Sequence, residues 1–377
     1  MDFMKKTISN HEKTKDNNFN LIRFIAAFLV LFSHSYIVIT GDPNTVPLKL
    51  LLGITWGGIA VDVFFITSGF LIAGSFYNRK GLVPFILARI LRIYPALIVA
   101  MFISVFIFGL WFTSLKPIEY LTTIETYKYL IKNIILFFGV NYNLPNVFMD
   151  NPYINAVNGS LWTLPFEVKM YFYLTLIGLF INVIEKKIPI KLSAYVFILL
   201  ALTALGVYIF NYLYSINSFN SSRLFYMFFV GAVCYQLRAR IVLSHKYFLF
   251  VLFIIFISTT HQNLFFLSYI CFLPYIVFYL AYIPNGFIRK FNSFGDYSYG
   301  IYIYSFPIQQ GLIASIPSLS IISMVIYSFF VTFFFSFLSW HFVESKALKL
   351  KSKSQIIIDL FIHNSNKIKS AYLSKSK

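Results

Sequence analysis

Residues 20–40 read Asn20-Leu-Ile-Arg-Phe-Ile-Ala-Ala-Phe-Leu-Val-Leu-Phe-Ser-His-Ser-Tyr-Ile-Val-Ile-Thr40, an apolar run interrupted by one arginine and one histidine. Its length matches the roughly 20 residues that an α-helix needs to cross a bilayer. Ionisable groups in such a helix are costly and mark functional positions. Arg23 and His34 are eleven residues apart, which at about 3.6 residues per turn returns the side chain to within roughly 20° of the same face. They are separated by about 16 Å along the axis at ~1.5 Å per residue. A cation at one end and a proton acceptor at depth point to a site reached through the membrane.

The rest of the chain supports the same class. Of its 377 residues, 59% are hydrophobic and 12% charged, against about 25% charged in soluble domains. Ten apolar segments are read as transmembrane helices of an all-α polytopic bundle: 20–40, 54–76, 84–113, 164–184, 192–213, 222–239, 246–260, 263–283, 297–316 and 319–343. Segment 129–140 is apolar but too short to span and reads as an interfacial or re-entrant helix. The domain division is a polar N-terminal tail (1–19), a transmembrane domain (20–344) and a basic C-terminal tail (345–377). The two cysteines, Cys234 and Cys271, lie in apolar runs and read as small hydrophobes. No metal site and no cleavable signal peptide are expected.

Alternating the loops between the two sides places most of the 31 basic residues on one side. By the positive-inside rule that side, with both termini, is cytoplasmic. The net charge of +18 is then a topology signal with some attraction to anionic lipid. A nucleic-acid surface is excluded for want of a basic soluble domain.

Orientation assigns depths. His34 falls in the outer half of the first span. Asp62, in Gly57-Gly-Ile-Ala-Val-Asp62 of the second, is expected at a similar depth, as a carboxylate that orients the imidazole for general-base work. Arg89 and Arg92 share one face at the cytoplasmic start of the third span, and with Arg23 they make a cluster suited to phosphate. Glu167, in Asn158-Gly-Ser-Leu-Trp-Thr-Leu-Pro-Phe-Glu167, is expected just inside the opposite, outer surface. Blander readings stand beside each: snorkelling arginines, an interhelical hydrogen bond for His34, a structural Asp62, and a helix-end Glu167.

These residues also carry a resemblance. The chain resembles the acyltransferase-3 family of membrane-bound enzymes that O-acylate bacterial surface glycans. The resemblance rests on Arg23-x10-His34, Ala60-Val-Asp-Val-Phe-Phe-Ile-Thr-Ser-Gly-Phe-Leu-Ile72, Arg89-x-x-Arg-Ile-x-Pro95, Leu161-Trp-Thr-Leu-Pro-Phe-Glu167 with Tyr171-Phe172, Tyr297-Ser-Tyr-Gly-Ile-Tyr-Ile-Tyr304 with Pro307, and His341-Phe-Val-Glu344. It implies a bacterial cytoplasmic-membrane enzyme with an acyl-coenzyme A donor, usually acetyl-CoA, and a glycan acceptor. It further implies His34 as the catalytic residue and a role for Arg23, Arg89 and Arg92 in donor binding or site architecture. Members often have histidine just before the ninth-span proline, where this chain has Phe306, and a proline after the glutamate, where it has Ser345. The ninth-span position is therefore left out of the catalytic set of His34, Asp62 and Glu167. A glycan or lipid transporter and a catalytically inert scaffold are the competing readings.

Overall fold

The computed structural model describes residues 7–12, 16–78, 81–187, 192–216 and 219–350. The C-terminal tail from 351 and the loop cations Arg79, Lys80 and Lys191 lie outside the described residues. The long helices are α1 (Phe19–Thr40), α2 (Trp56–Asn78), α3 (Leu82–Ile103), α4 (Leu164–Glu185), α5 (Ser193–Leu213), α6 (Phe219–Gln236), α7 (His245–Ser258), α8 (Gln262–Tyr282), α9 (Ser298–Ser315) and α10 (Ile321–Ser339). Single π turns extend α3 over Ser104–Gly109 and α10 over Trp340–Glu344. No β-strand occurs among the described residues.

Helices thus occupy all ten apolar segments. Seven spans among the described residues are long and apolar enough to cross a membrane, those containing α1, α2, α3, α4, α5, α8 and α10. The others fall short for separate reasons. α7 has only 14 residues, and α6 opens on the polar run Asn220-Ser-Ser-Arg223. α9 is buried over nearly its whole length despite Ser298, Ser305, Gln309 and Gln310, so its polar groups face protein.

α1 and α2 run antiparallel in a defined register. Gly57 N–H donates to Ser33 Oγ at 2.7 Å, Arg23 lies 5.6 Å from the centre of the Phe64 ring, and the Phe19 and Phe70 rings are 6.1 Å apart. α2 and α6 approach through reciprocal glycines. A Cβ on Gly69 would lie 1.9 Å from the Phe228 carbonyl oxygen, and one on Gly231 would lie 2.1 Å from that of Ile66. Small residues let backbones touch where lipid offers no hydrophobic drive for association.

The connection from α3 to α4 holds a 12-residue amphipathic helix, Ile124–Ile135, which begins before the expected 129–140. Ile124, Ile131 and Ile135 are exposed on it. The chain then turns back along α9, which sequence reading did not foresee. Asn151 Nδ2 donates to the Gln310 carbonyl at 3.0 Å, Asn158 Nδ2 to the Ile303 carbonyl at 2.8 Å, and Thr163 and Tyr302 share a 2.6 Å hydroxyl–hydroxyl bond. The contact point therefore moves eight residues along α9, roughly 12 Å. Leu136, Asn146, Phe148 and Asn155 all have positive φ in this segment. Such strain persists only where surrounding contacts fix the path.

Gly69→Ala or Gly231→Ala should each destabilise the protein by about 1–3 kcal/mol through overpacking. Thermal unfolding in detergent measures this, and an unchanged midpoint for both would show that the glycine crossing is not tight.

Candidate active site

α1, α2, α9 and the start of α4 enclose a cavity lined by Arg23, Phe64, Ser68, Thr163, Glu167 and Tyr302, among others. The space open to the centres of water molecules is about 40 Å³, enough for some three or four waters at ~10–15 Å³ apiece. The sequence places Arg23 and Glu167 on opposite sides of the membrane; the structure brings them to one cavity. The expectation that Glu167 sits at the outer rim is thereby corrected, because the returning segment 151–163 carries the start of α4 down along α9.

Glu167 accepts a short hydrogen bond from the Tyr171 hydroxyl. The Arg89 guanidinium lies 5.9 Å from the ring centres of both Phe85 and Tyr171. Arg92 is committed elsewhere: its Nη2 is 2.5 Å from Asp296 Oδ2. Burial alone would raise the Asp296 carboxyl, but the Arg92 and Arg23 guanidinium groups and the Ser298 hydroxyl hold it well below the usual range. The three arginines thus differ. Arg23 faces the cavity with a buried Nε that makes no hydrogen bond, Arg89 packs on aromatic faces, and Arg92 braces the loop before α9. Glu344, 2% exposed, accepts from Ser339 Oγ at 2.9 Å.

His34 stands beyond the far end of the cavity and is not among its lining residues. Its ring meets the edge of Phe306 at 5.1 Å between centroids and 82° between planes. Its buried Nδ1 has no hydrogen-bond partner. Phe306 is clamped from behind by Gly159, where a Cβ would come within 2.7 Å of the ring. Tyr299, Tyr302 and Phe306 have the i, i+3, i+7 spacing of one helix face. That stripe leads from the cavity to His34. Tyr299 and Tyr302 were quoted in sequence only as motif letters; their spacing with Phe306 was the available signal.

The expected Asp62–His34 pair is not formed. The α1–α2 register sets Asp62 level with Ala27, about seven residues or roughly 10 Å below His34. Asp62 also lies about 140° round α2 from Gly57, which faces α1. Its carboxylate, fully buried, accepts from the Tyr269 hydroxyl at 2.7 Å and lies 3.3 Å from Arg223 Nε. Asp62 ties α2 to α6 and α8.

With this geometry in place, comparison with known proteins defines the class. The chain matches the acyltransferase-domain family over residues 16–341, and it belongs to that family: it is a multi-pass membrane acyltransferase. It is 29% identical over 355 residues to an O-acetyl transferase of Shigella phage Sf6, covering 90% of this chain and 98% of that protein. It is also 32% identical over 171 residues to Nodulation protein 10 of Rhizobium leguminosarum bv. viciae, 45% of each chain. No solved structure matches it.

Removing one partner of the buried pair leaves an uncompensated charge, so Asp62→Ala or Arg223→Ala should each cost about 3–5 kcal/mol. The double change Asp62→Leu with Arg223→Met should recover most of that loss in the same unfolding assay. If the single variants unfold like wild type, Asp62 has a role other than this ion pair.

Proposed function

We propose that the protein transfers an acetyl group from acetyl-CoA to a hydroxyl of an envelope or exported polysaccharide, in the bacterial cytoplasmic membrane. The observation that carries this reading is the His34 imidazole: a buried, unpartnered Nδ1 at one end of a seam whose other end holds Arg23 and Glu167 in a slot. A relative named as an O-acetyl transferase supports the acetyl group.

All ten long helices cross the membrane in this reading, with both chain ends cytoplasmic, so that Arg23, Arg89 and Arg92 stand at the inner end and His34 in the outer half. The donor's arm threads the slot past Arg23 and Glu167, and its thioester reaches Phe306 and His34. His34 takes the proton of the acceptor hydroxyl as the oxygen attacks the thioester carbonyl. The carbon–sulfur bond breaks, and the thiolate leaves with the proton that the imidazolium returns. Arg23 and Arg89 supply positive charge toward the donor's phosphates, while Glu167, held by Tyr171, offsets Arg23 within the slot. Attack by His34 itself on the thioester is the mechanistic variant, and it would show as donor-side exchange without acceptor. The transporter reading needs no thioester, and no relative supports it.

His34→Ala should lower acetylation by about 10²–10⁴-fold, the span of general acid–base catalysis, with the protein still inserted and folded. Mass spectrometry of surface glycan from deletion, wild-type and His34→Ala strains reads this. Equal acetylation in all three would remove the enzyme reading.

A further inference from the structure

A long groove runs down the flank of α4, on the side away from the cavity. Two residues along a helix turn a side chain by about 200°, so Lys169 faces nearly opposite to Glu167. At the end where α6 begins, α4 and α6 enclose about 440 Å³ between Phe166, Lys169, Tyr173, Ile177, Ser221 and Phe225. The continuation, about 370 Å³ between α4 and α5, is walled by Ile177, Phe180, Ile184, Val196 and Leu200. Ile177 lines both parts. On α4 the lining residues Phe166, Lys169, Tyr173, Ile177, Phe180 and Ile184 are spaced by three or four and so form one stripe.

The groove has one charged end and one apolar end. Lys169 is the one cationic residue of its lining. It is half-buried, and its ammonium lies 6.0 Å from the centre of the Phe166 ring. It makes no ion pair among the described residues. Lys169 is the sixth residue of α4, and Ser221 across the groove is the third of α6. The charge therefore sits near helix ends, where a bilayer keeps its headgroups. The α4–α5 part is lined by aliphatic and phenyl side chains throughout. From Lys169 to Ile184 is fifteen residues, about 22 Å of helix, which exceeds the roughly 15 Å that the chains of one leaflet occupy. Tyr173, Leu176 and Phe180 are 39%, 49% and 67% exposed, so the groove stands open sideways, and around a membrane-spanning bundle its cover is lipid.

We infer that this groove binds an anionic phospholipid of the surrounding bilayer, with its phosphate on the Lys169 ammonium and an acyl chain along α4. Cationic pockets between transmembrane helices recognise headgroups in this way. One ammonium matches the single negative charge of a phosphodiester. A zwitterionic headgroup brings its own cation, and a diphosphate would leave charge unmatched. The site requires only that the chain spans the membrane, and it goes beyond the acetyl-transfer reading. In the orientation proposed above it faces the outer leaflet.

Native mass spectrometry of the full-length protein, titrated with dioleoyl-phosphatidylglycerol or dioleoyl-phosphatidylcholine, measures the Kd for each lipid. Wild type should prefer the anionic lipid about 5-fold, the contribution of one lysine near the membrane surface. Lys169→Gln should abolish the preference, and Lys169→Arg should keep it. Lys246→Gln, which removes an exposed cation from the start of α7, should also keep it and so controls for net charge. Ile177→Trp, which fills the junction of the two parts, should weaken both lipids, with thermal unfolding in detergent checking that the variant is folded. A lysine that merely snorkels would give equal Kd values for the two lipids in wild type, and that result would overturn the site. A preference that survives Lys169→Gln would overturn it too, as would tighter binding of a polyisoprenyl phosphate, which would assign the groove to a carrier lipid.

Discussion

A membrane interior holds no water to satisfy a polar group, so each one must find a partner within the protein or carry a penalty. That constraint organises this bundle. Asp62 has Arg223 and Tyr269. Arg92 has Asp296. Gln309 Nε2 donates to the Leu31 carbonyl and to Ser35 Oγ, both at 2.8 Å, stitching α9 to α1 beside His34. Among the buried atoms without a hydrogen-bond partner are His34 Nδ1 and Arg23 Nε, which share one face of α1.

α9 explains why the seam has this shape. It fails as a lipid-facing helix because it is polar on several sides, and the same property lets it hold the returning segment 151–163 by side-chain hydrogen bonds. That segment delivers Thr163 and Glu167 to the cavity. Without it, α4 would start at the membrane surface and the slot would lack one wall.

Helix positions were legible because apolar run length is a local property, and the seam was legible in part because Arg23 and His34 share one helix. What could not be read was lateral packing. Asp62 was paired with His34 from similar distances to the ends of their own helices, but the Ser33–Gly57 contact offsets those ends and the rotation of α2 turns Asp62 toward α6. Glu167 was misplaced for a related reason. Hydropathy marks where apolar sequence begins, whereas a strained loop held by Gln310 and Ile303 decides where the helix begins in space. Asp296 lay outside every quoted motif, and nothing local distinguishes it from a loop aspartate.

An imidazole without a carboxylate behind it must be positioned by shape. Ordinarily a hydrogen bond to the second ring nitrogen fixes tautomer and orientation. Here the Phe306 edge, backed by Gly159 and by Tyr153 at 5.9 Å between centroids, confines the ring instead, and neither nitrogen is committed in advance. In the proposed transfer, an apolar clamp would leave the imidazole free to receive a proton on whichever nitrogen the acceptor hydroxyl approaches and to return it to the departing thiolate. A carboxylate partner would stabilise the imidazolium and slow that return. The aromatic residue at position 306 suits a proposed base that gives back what it takes within one turnover.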